Sequence, residues 1–238
     1  MKISMKNIFL ILLFFGIGSA AFGQNTHPVF RVKDGSDVSK YIPYKDRFQF
    51  DQFQDGKVYF RNGKVSSAKL NYSYVYAEIM FINPKKDTLL LADLDYINFV
   101  SIADHSYYYY KGHGHIEELE DFGRLNLGKK SYYLNMGNEK YAAYGQYSST
   151  SAISSYSSFV NQDGMIQFLK GNNKVVMKKN AAYYFIDRNK RFLVANRQNL
   201  LKAYASHRKE INQYLKQKNP DFEQEPDLKQ VLAFCSSL

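Results

Sequence analysis

Tryptophan is missing from this 238-residue chain, cysteine occurs once and proline five times. Sugar-binding surfaces and membrane belts use tyrosine but usually recruit tryptophan with it, so both readings lose support. A single cysteine, Cys235, rules out an internal disulfide, and stability must come from packing. Cys235 stands at helical spacing with Leu228, Val231 and Leu232, which fits a small buried apolar side chain rather than a reactive thiol. It also lies far from the amino-terminal leader, which removes the usual lipid-attachment handle of a bacterial lipoprotein. Long apolar runs are equally scarce. The one candidate, Ile8 to Ile17, is half the roughly 20 residues a permanent membrane helix needs.

That short run has a different use. Lys2 and Lys6 precede it, and Ala21 and Gly23 follow at the −3 and −1 positions of a cut before Gln24. Charge, apolar core and small-residue exit are the three parts of a secretory signal, so residues 1–23 are expected to be removed on export. With no second membrane-length stretch, the mature chain is expected to be soluble or peripherally attached. It should work in the periplasm, at the outer membrane or as a secreted protein.

Tyrosine and phenylalanine are abundant, at 21 and 18 residues. Tyrosine buries a ring while keeping one polar end wet, which suits half-exposed positions on sheets and at interfaces. Charge is distributed unevenly. Residues 24–163 carry 16 Lys/Arg and 16 Asp/Glu, whereas residues 164–218 carry 13 Lys/Arg against Asp187 and Glu210, a balance of +11. Residues 219–238 set Lys229 against Asp221, Glu223, Glu225 and Asp227. The surplus of one sign within a single segment points to an acidic partner or an acidic neighbour in the fold.

From Arg47 to Leu134 the pattern is strand after strand, with turn signals about ten residues apart. Phe48, Phe50 and Phe53 read as one strand, Asp55-Gly56 as a turn, and Asn62-Gly63 as a type I′ hairpin. Leu70 to Ile82 reads as a continued strand ended by Asn83-Pro84. Thr88 to Ala92, Ile97 to Ile102 and Tyr107 to Tyr110 follow. Residues 144–159 are rich in Ser and Tyr and read as a long loop. Strands resume at Met165 to Leu169, Lys174 to Met177, Tyr183 to Ile186 and Phe192 to Val194. Leu201, Tyr204, Ile211 and Leu215 then mark one face of a helix, capped at Asn196 or Asn199 and stopped at Asn219-Pro220. Pro226 suits the first turn of a second helix. The expected fold is α+β, mainly β. An antiparallel meandering sheet, a sandwich or partly closed barrel over residues 24–196, is closed by a helical hairpin over residues 197–238.

Asp55-Gly-Lys-Val-Tyr-Phe60, Asn62-Gly63, Ala68-Lys-Leu-Asn-Tyr72, Glu78-Ile-Met-Phe-Ile82 and Ile97-Asn-Phe-Val-Ser-Ile102 together resemble exported β-rich proteins of unknown function common in Bacteroidetes bacteria. The ending, with Leu200-Leu201, His207-Arg-Lys-Glu-Ile211, Asp227-Leu228 and Leu238, is similar to their C-terminal helices. The resemblance implies an envelope location in a diderm bacterium. Its motifs are structural and carry no catalytic residue.

Several patterns touch known chemistries without completing one. Gly123 to Lys129 matches the spacing of a phosphate loop, but Lys130 replaces the Ser/Thr that would hold magnesium, and strand-like residues follow. A hairpin turn accounts for it. His105, His113 and His115 stand near Glu117 and Glu118, but Gly112 and Gly114 favour a hairpin over a metal site. Glu117, Glu118, Glu120 and Asp121 are expected to form a solvated turn, since paired glycosidase carboxylates come from separated segments. No serine lies in G-x-S-x-G. The chain is therefore expected to be non-catalytic and without a cofactor or metal.

The basic segment carries more weight. Lys174, Lys178 and Lys179 lie on or beside one expected strand, and Arg188, Lys190 and Arg191 surround the next turn. Adjacent strands would gather these six as a patch for a polyanion. In the envelope the partners available are lipopolysaccharide, anionic lipid or acidic polysaccharide, with another envelope protein as the alternative class. Two other roles compete with macromolecular binding: carriage of a hydrophobic or lipid ligand inside a curved sheet, and hydrolysis.

Overall fold

A computed structural model describes residues 28–33, 36–141, 147–150, 158–160, 166–168 and 174–238, with side chains over 28–33, 36–136 and 174–238. The expected signal segment and its cleavage site lie outside the described residues. The strands are β1 (Val29–Lys33), β2 (Gln54–Phe60), β3 (Val65–Ser73), β4 (Glu78–Ile82), β5 (Thr88–Leu90), β6 (Ile97–Ile102), β7 (His105–Tyr110), β8 (Gly114–Asp121), β9 (Leu125–Tyr141), β10 (Tyr147–Thr150), β11 (Ser158–Val160), β12 (Ile166–Phe168), β13 (Lys174–Asp187) and β14 (Phe192–Val194). The helices are a single turn α1 (Tyr44–Arg47), then α2 (Arg197–Ala203), α3 (Arg208–Lys218) and α4 (Glu225–Ser236).

The sheet is antiparallel and runs β1-β13-β9-β8-β7-β6-β2-β3-β4-β5, with β10 against β9 and β14 against β13. The fold is α+β and mainly β, as the turn spacing indicates. Two meanders, β2 to β5 and β6 to β9, join where β2 pairs β6. The sheet curls without closing. At the point of nearest return the Tyr133 N–H donates to the Tyr74 carbonyl at 3.0 Å, and the Tyr72 hydroxyl donates to the Ser131 carbonyl at 2.7 Å. Gly56 lies inside β2 rather than in a turn, because a Cβ there would stand 2.6 Å from the Ser101 carbonyl oxygen. The β2–β3 hairpin turns on Gly63 alone (φ +82°), with Arg61 and Asn62 completing a three-residue loop in place of a type I′ turn. Phe48 makes only one bridge, to Ser73, and the segment from Tyr44 to Phe50 is held instead by buried Asn71. Asn71 accepts from the Phe50 N–H at 3.1 Å and donates to the Phe50 carbonyl at 2.9 Å.

Side chains alternate across each strand, so the curl has one inner face. Val58, Leu70, Tyr72, Ile79, Ile97, Val100, Ile102 and Tyr107 fill it as one buried cluster, with the Tyr72 and Tyr107 rings stacked 5.6 Å apart. A second cluster joins Leu125, Leu127 and Phe185 to the helices through Leu200, Leu201, Tyr204, Ile211, Leu215, Leu228, Val231, Leu232 and Cys235. The cysteine thus packs as an apolar residue, and burial pushes its thiol up to about 12.

The expected first helix is interrupted at Tyr204, whose ψ of +50° leads into a single 3-10 turn before α3. Asn196 caps α2 by accepting from the Asn199 N–H at 2.8 Å, and Asn219 ends α3 in the left-handed region. Within the expected Ser/Tyr loop, Tyr147–Thr150 pair with β9 and Ser158–Val160 with β12. Residues 151–157 lie outside the described residues. Among the described residues no helix is long and apolar enough to cross a membrane.

A candidate binding groove over strand β13

The main departure from the expected strand pattern lies at residues 174–187. The sequence suggests two short strands broken near Asn180, but the structure has one continuous strand paired to β9 from Lys174 to Asp187, with a bulge between Val176 and Met177. Its other edge is shared. β1 pairs it from Lys174 to Lys178, and β14 pairs it from Tyr184 to Ile186. Between them, among the described residues, no strand pairs Lys179 to Ala182. Tyr183 closes the stretch by accepting from the Ala195 N–H at 2.9 Å.

Two connected hollows flank this stretch. One, of about 280 Å³, lies on the inner face and is lined by Gln49, Tyr74, Glu117, Lys129, Lys179 and Tyr183, among others. The other, of about 710 Å³, is an open groove along the edge, bounded by Tyr132, Lys178, Tyr184, Asn196, Phe222 and Glu223. Lys179, Asn180, Ala181 and Tyr183 belong to both.

Lys179 stands at the junction. Its Nζ sits 3.3 Å from the centre of the Tyr74 ring, close enough for a cation–π contact. Burial, together with the nearby Lys129 charge, pulls its amine down to about 8. Lys129 behaves in the opposite way. Burial works against its charge, but the Glu225 carboxylate 2.9 Å away outweighs that and raises it. Glu225 is held below the ordinary carboxylate range: Lys129 and Lys229, the latter 3.2 Å away, overcome the opposing effect of burial. Lys179 and Lys178 have no such carboxylate among the described residues.

Glu117 forms the inner wall. It does not lie in a solvated turn but faces inward from β8, and is only 8 % exposed. Its Oε1 contacts His105 Nδ1 and accepts from Gln49 Nε2 at 3.1 Å. The other His105 nitrogen is 3.3 Å from Asp104, so the imidazole is engaged on both sides by carboxylates. That arrangement anchors the wall and aims no free base into the hollow. The two-residue step His115, Glu117, Leu119 was the available signal, since it places Glu117 on the face of an apolar neighbour.

The other expected features separate. His115 is buried against Glu78, while His113 stacks on Tyr110 at 4.4 Å and its Nδ1 lies 3.1 Å from the Tyr184 hydroxyl. The three histidines thus go to three partners, and no group of three or more candidate metal ligands meets among the described residues. Gly123 turns the β8–β9 hairpin at φ +82°.

The six expected polyanion residues do not converge. A strand rises about 3.3 Å per residue, so the end bearing Lys174, Lys178 and Lys179 lies roughly 30 Å from the turn bearing Arg188, Lys190 and Arg191. In that turn Lys190 pairs with Glu118 at 2.7 Å and Arg191 with Asp187 at 2.6 Å. The patch expected from sequence fails because a continuous β13 replaces two adjacent strands. Lys178 and Lys179 alone of the six line the groove. No family model, curated protein or solved structure matches the chain.

Proposed function

We propose that this is an exported, non-catalytic protein of the bacterial cell envelope that binds an acidic macromolecule through the groove over β13. The groove carries the reading: among the described residues, two lysines without carboxylate partners stand beside a stretch of unpaired strand, between tyrosine walls. The leader with Lys2, Lys6 and the small residues Ala21 and Gly23 supports export. Carriage of a lipid inside the sheet has less support, because Tyr72, Tyr107 and their aliphatic neighbours already fill the curl.

The test replaces Lys178 and Lys179 by Ser together, and in a second protein Arg188, Lys190 and Arg191. Each is titrated with purified lipopolysaccharide, anionic vesicles and a glutamate-rich peptide at low and moderate salt. Exposed charges are screened over about 8 Å at physiological salt, so binding should weaken with salt. It should be lost in the first variant and kept in the second. Loss only in the second, or binding insensitive to both sets, contradicts the proposal.

A further inference from the structure

We propose that the gap in the β13 edge takes up one extended segment of an acidic protein partner, added as a strand against Lys179–Tyr183. The inference rests on the groove being the binding surface and specifies how it is used.

Backbone polarity comes first. Along an antiparallel strand, successive residues point their N–H and C=O groups to opposite edges. Tyr183 directs its carbonyl away from β9, to Ala195. Ala181 and Lys179, two and four residues earlier, therefore point the same way. The opposite strand agrees: Tyr133, the β9 partner of Lys179, sends its N–H away from β13, to Tyr74. The gap thus presents the C=O of Lys179, the N–H and C=O of Ala181 and the N–H of Tyr183, the Lys179 N–H facing the Pro28 carbonyl at the end of β1. Unpaired edges of this kind template the pairing of another chain.

The gap has defined ends. β1 pairs Val29 with Lys178, so its backward continuation would set Pro28 opposite Lys179. The Pro28 carbonyl faces the Lys179 N–H, but Pro28 has no N–H to give the Lys179 carbonyl, and the β1 ladder stops there. At the far end the Ala195 N–H occupies Tyr183. Five residues of open edge span roughly 16 Å, the length of an ordinary strand.

Charge selects the partner. Lys178 and Lys179 point to opposite faces of β13 and lack carboxylate partners among the described residues, so a strand laid beside them meets an ammonium on each face. Carboxylates placed across from lysines stabilise such a pair of strands. Strand addition draws affinity from main-chain hydrogen bonds and specificity from alternate side chains. Tyr132 and Tyr184 on one side and Phe222 on the other offer apolar seats for the intervening residues. Lipopolysaccharide and lipid headgroups have no amide ladder to match the exposed backbone.

The experiment uses a blocked, fluorescent hexapeptide alternating glutamate and valine, with a lysine–valine control, titrated against the whole mature protein. Ala181→Pro removes a donor that faces the gap and no ladder bond to β9, so the strand should persist. The glutamate peptide should bind, Ala181→Pro should weaken it about five- to tenfold, and Lys178→Ser with Lys179→Ser should abolish it. Amide exchange at Ala181 and Tyr183 in wild type should slow on binding, which supplies a readout if the proline variant does not fold.

Peptide binding that needs the lysines but leaves those amides unprotected overturns strand addition while leaving the groove reading intact. Binding indifferent to both changes overturns both. Protection already present in the free protein and lost on removing residues 24–28 would identify the chain's own leading segment as occupant and overturn the proposal. Protection that rises with protein concentration alone would identify a second copy, with the same consequence.

Discussion

The curled half of the sheet and the long arm formed by β9 and β13 deal with the same problem differently. In the curl, the strands return on themselves, and backbone groups that would face solvent meet Tyr74, Tyr72 and their neighbours. Its interior is aromatic and partly polar, with stacked Tyr72 and Tyr107 and inward-facing Glu117. The arm instead packs one face on the helices through an aliphatic core and, among the described residues, keeps part of its edge unpaired. Satisfying the backbone stabilises the curl, whereas leaving it unsatisfied gives the arm a surface. A sheet edge is tolerated when it is short and marked by charge, and this one, among the described residues, is five residues long with lysines at one end.

The largest test of that contrast targets the arm's support. Leu232 is fully buried in the cluster that joins α4 to Phe185. Leu232→Ala should cost about 2–5 kcal/mol in urea unfolding followed by circular dichroism. A cost within error would show that the helices do not dock on the arm.

Within the curl, two tyrosines in one stack should respond with opposite signs. The Tyr72 hydroxyl bonds the Ser131 carbonyl, whereas the Tyr107 hydroxyl is buried without a partner among the described residues. Tyr72→Phe should lose about 1 kcal/mol, while Tyr107→Phe should be neutral or stabilising, because it relieves an unsatisfied group. Equal losses would mean that the hydroxyls do not differ as described.

Much of the curl was legible because each signal there is local. Asn62-Gly63 and the alternation of Leu70 with Tyr72 mark a hairpin and a face within a few residues, and Pro226 and Asn219 mark helix ends the same way. The groove was not legible, because it depends on what is missing beside a strand. Asn180 looks like a strand breaker, yet it sits mid-strand, where its amide donates to the hydroxyl of Tyr132, its partner across the β9 ladder, at 3.2 Å. Lys178 and Lys179 were visible as charge, but the roughly 30 Å that separates them from Arg188 follows from one strand being continuous. At Glu117, four acids in five positions point to a solvated turn and outweigh the two-residue step that turns it inward.

A smaller effect concerns Lys179. Its amine falls from the ordinary 10.5 to about 8, so between those values the unfolded chain binds more protons than the folded one. Wild-type stability should therefore rise through this window as the penalty for a half-buried ammonium is relieved. Lys179→Met should be the more stable protein at pH 7, with an advantage that shrinks to nothing above about pH 10.5. Acidic-peptide binding should fall as pH passes about 8, earlier than an ordinary lysine would allow. Melting temperatures across pH 7 to 11 check the first expectation. An advantage independent of pH would assign the effect to apolar contact with Tyr74 alone.

The central claim is that β13 carries an open edge in the middle of an otherwise paired strand. Residue-resolved amide exchange on the free protein tests it directly. Met177 and Phe185 face the same edge but are paired by β1 and β14, and their amides should exchange slowly. Ala181 and Tyr183, between them on the same strand, should exchange orders of magnitude faster, near the rate of solvent-exposed amides. Protection at Ala181 and Tyr183 equal to that at Met177 and Phe185 would contradict the account.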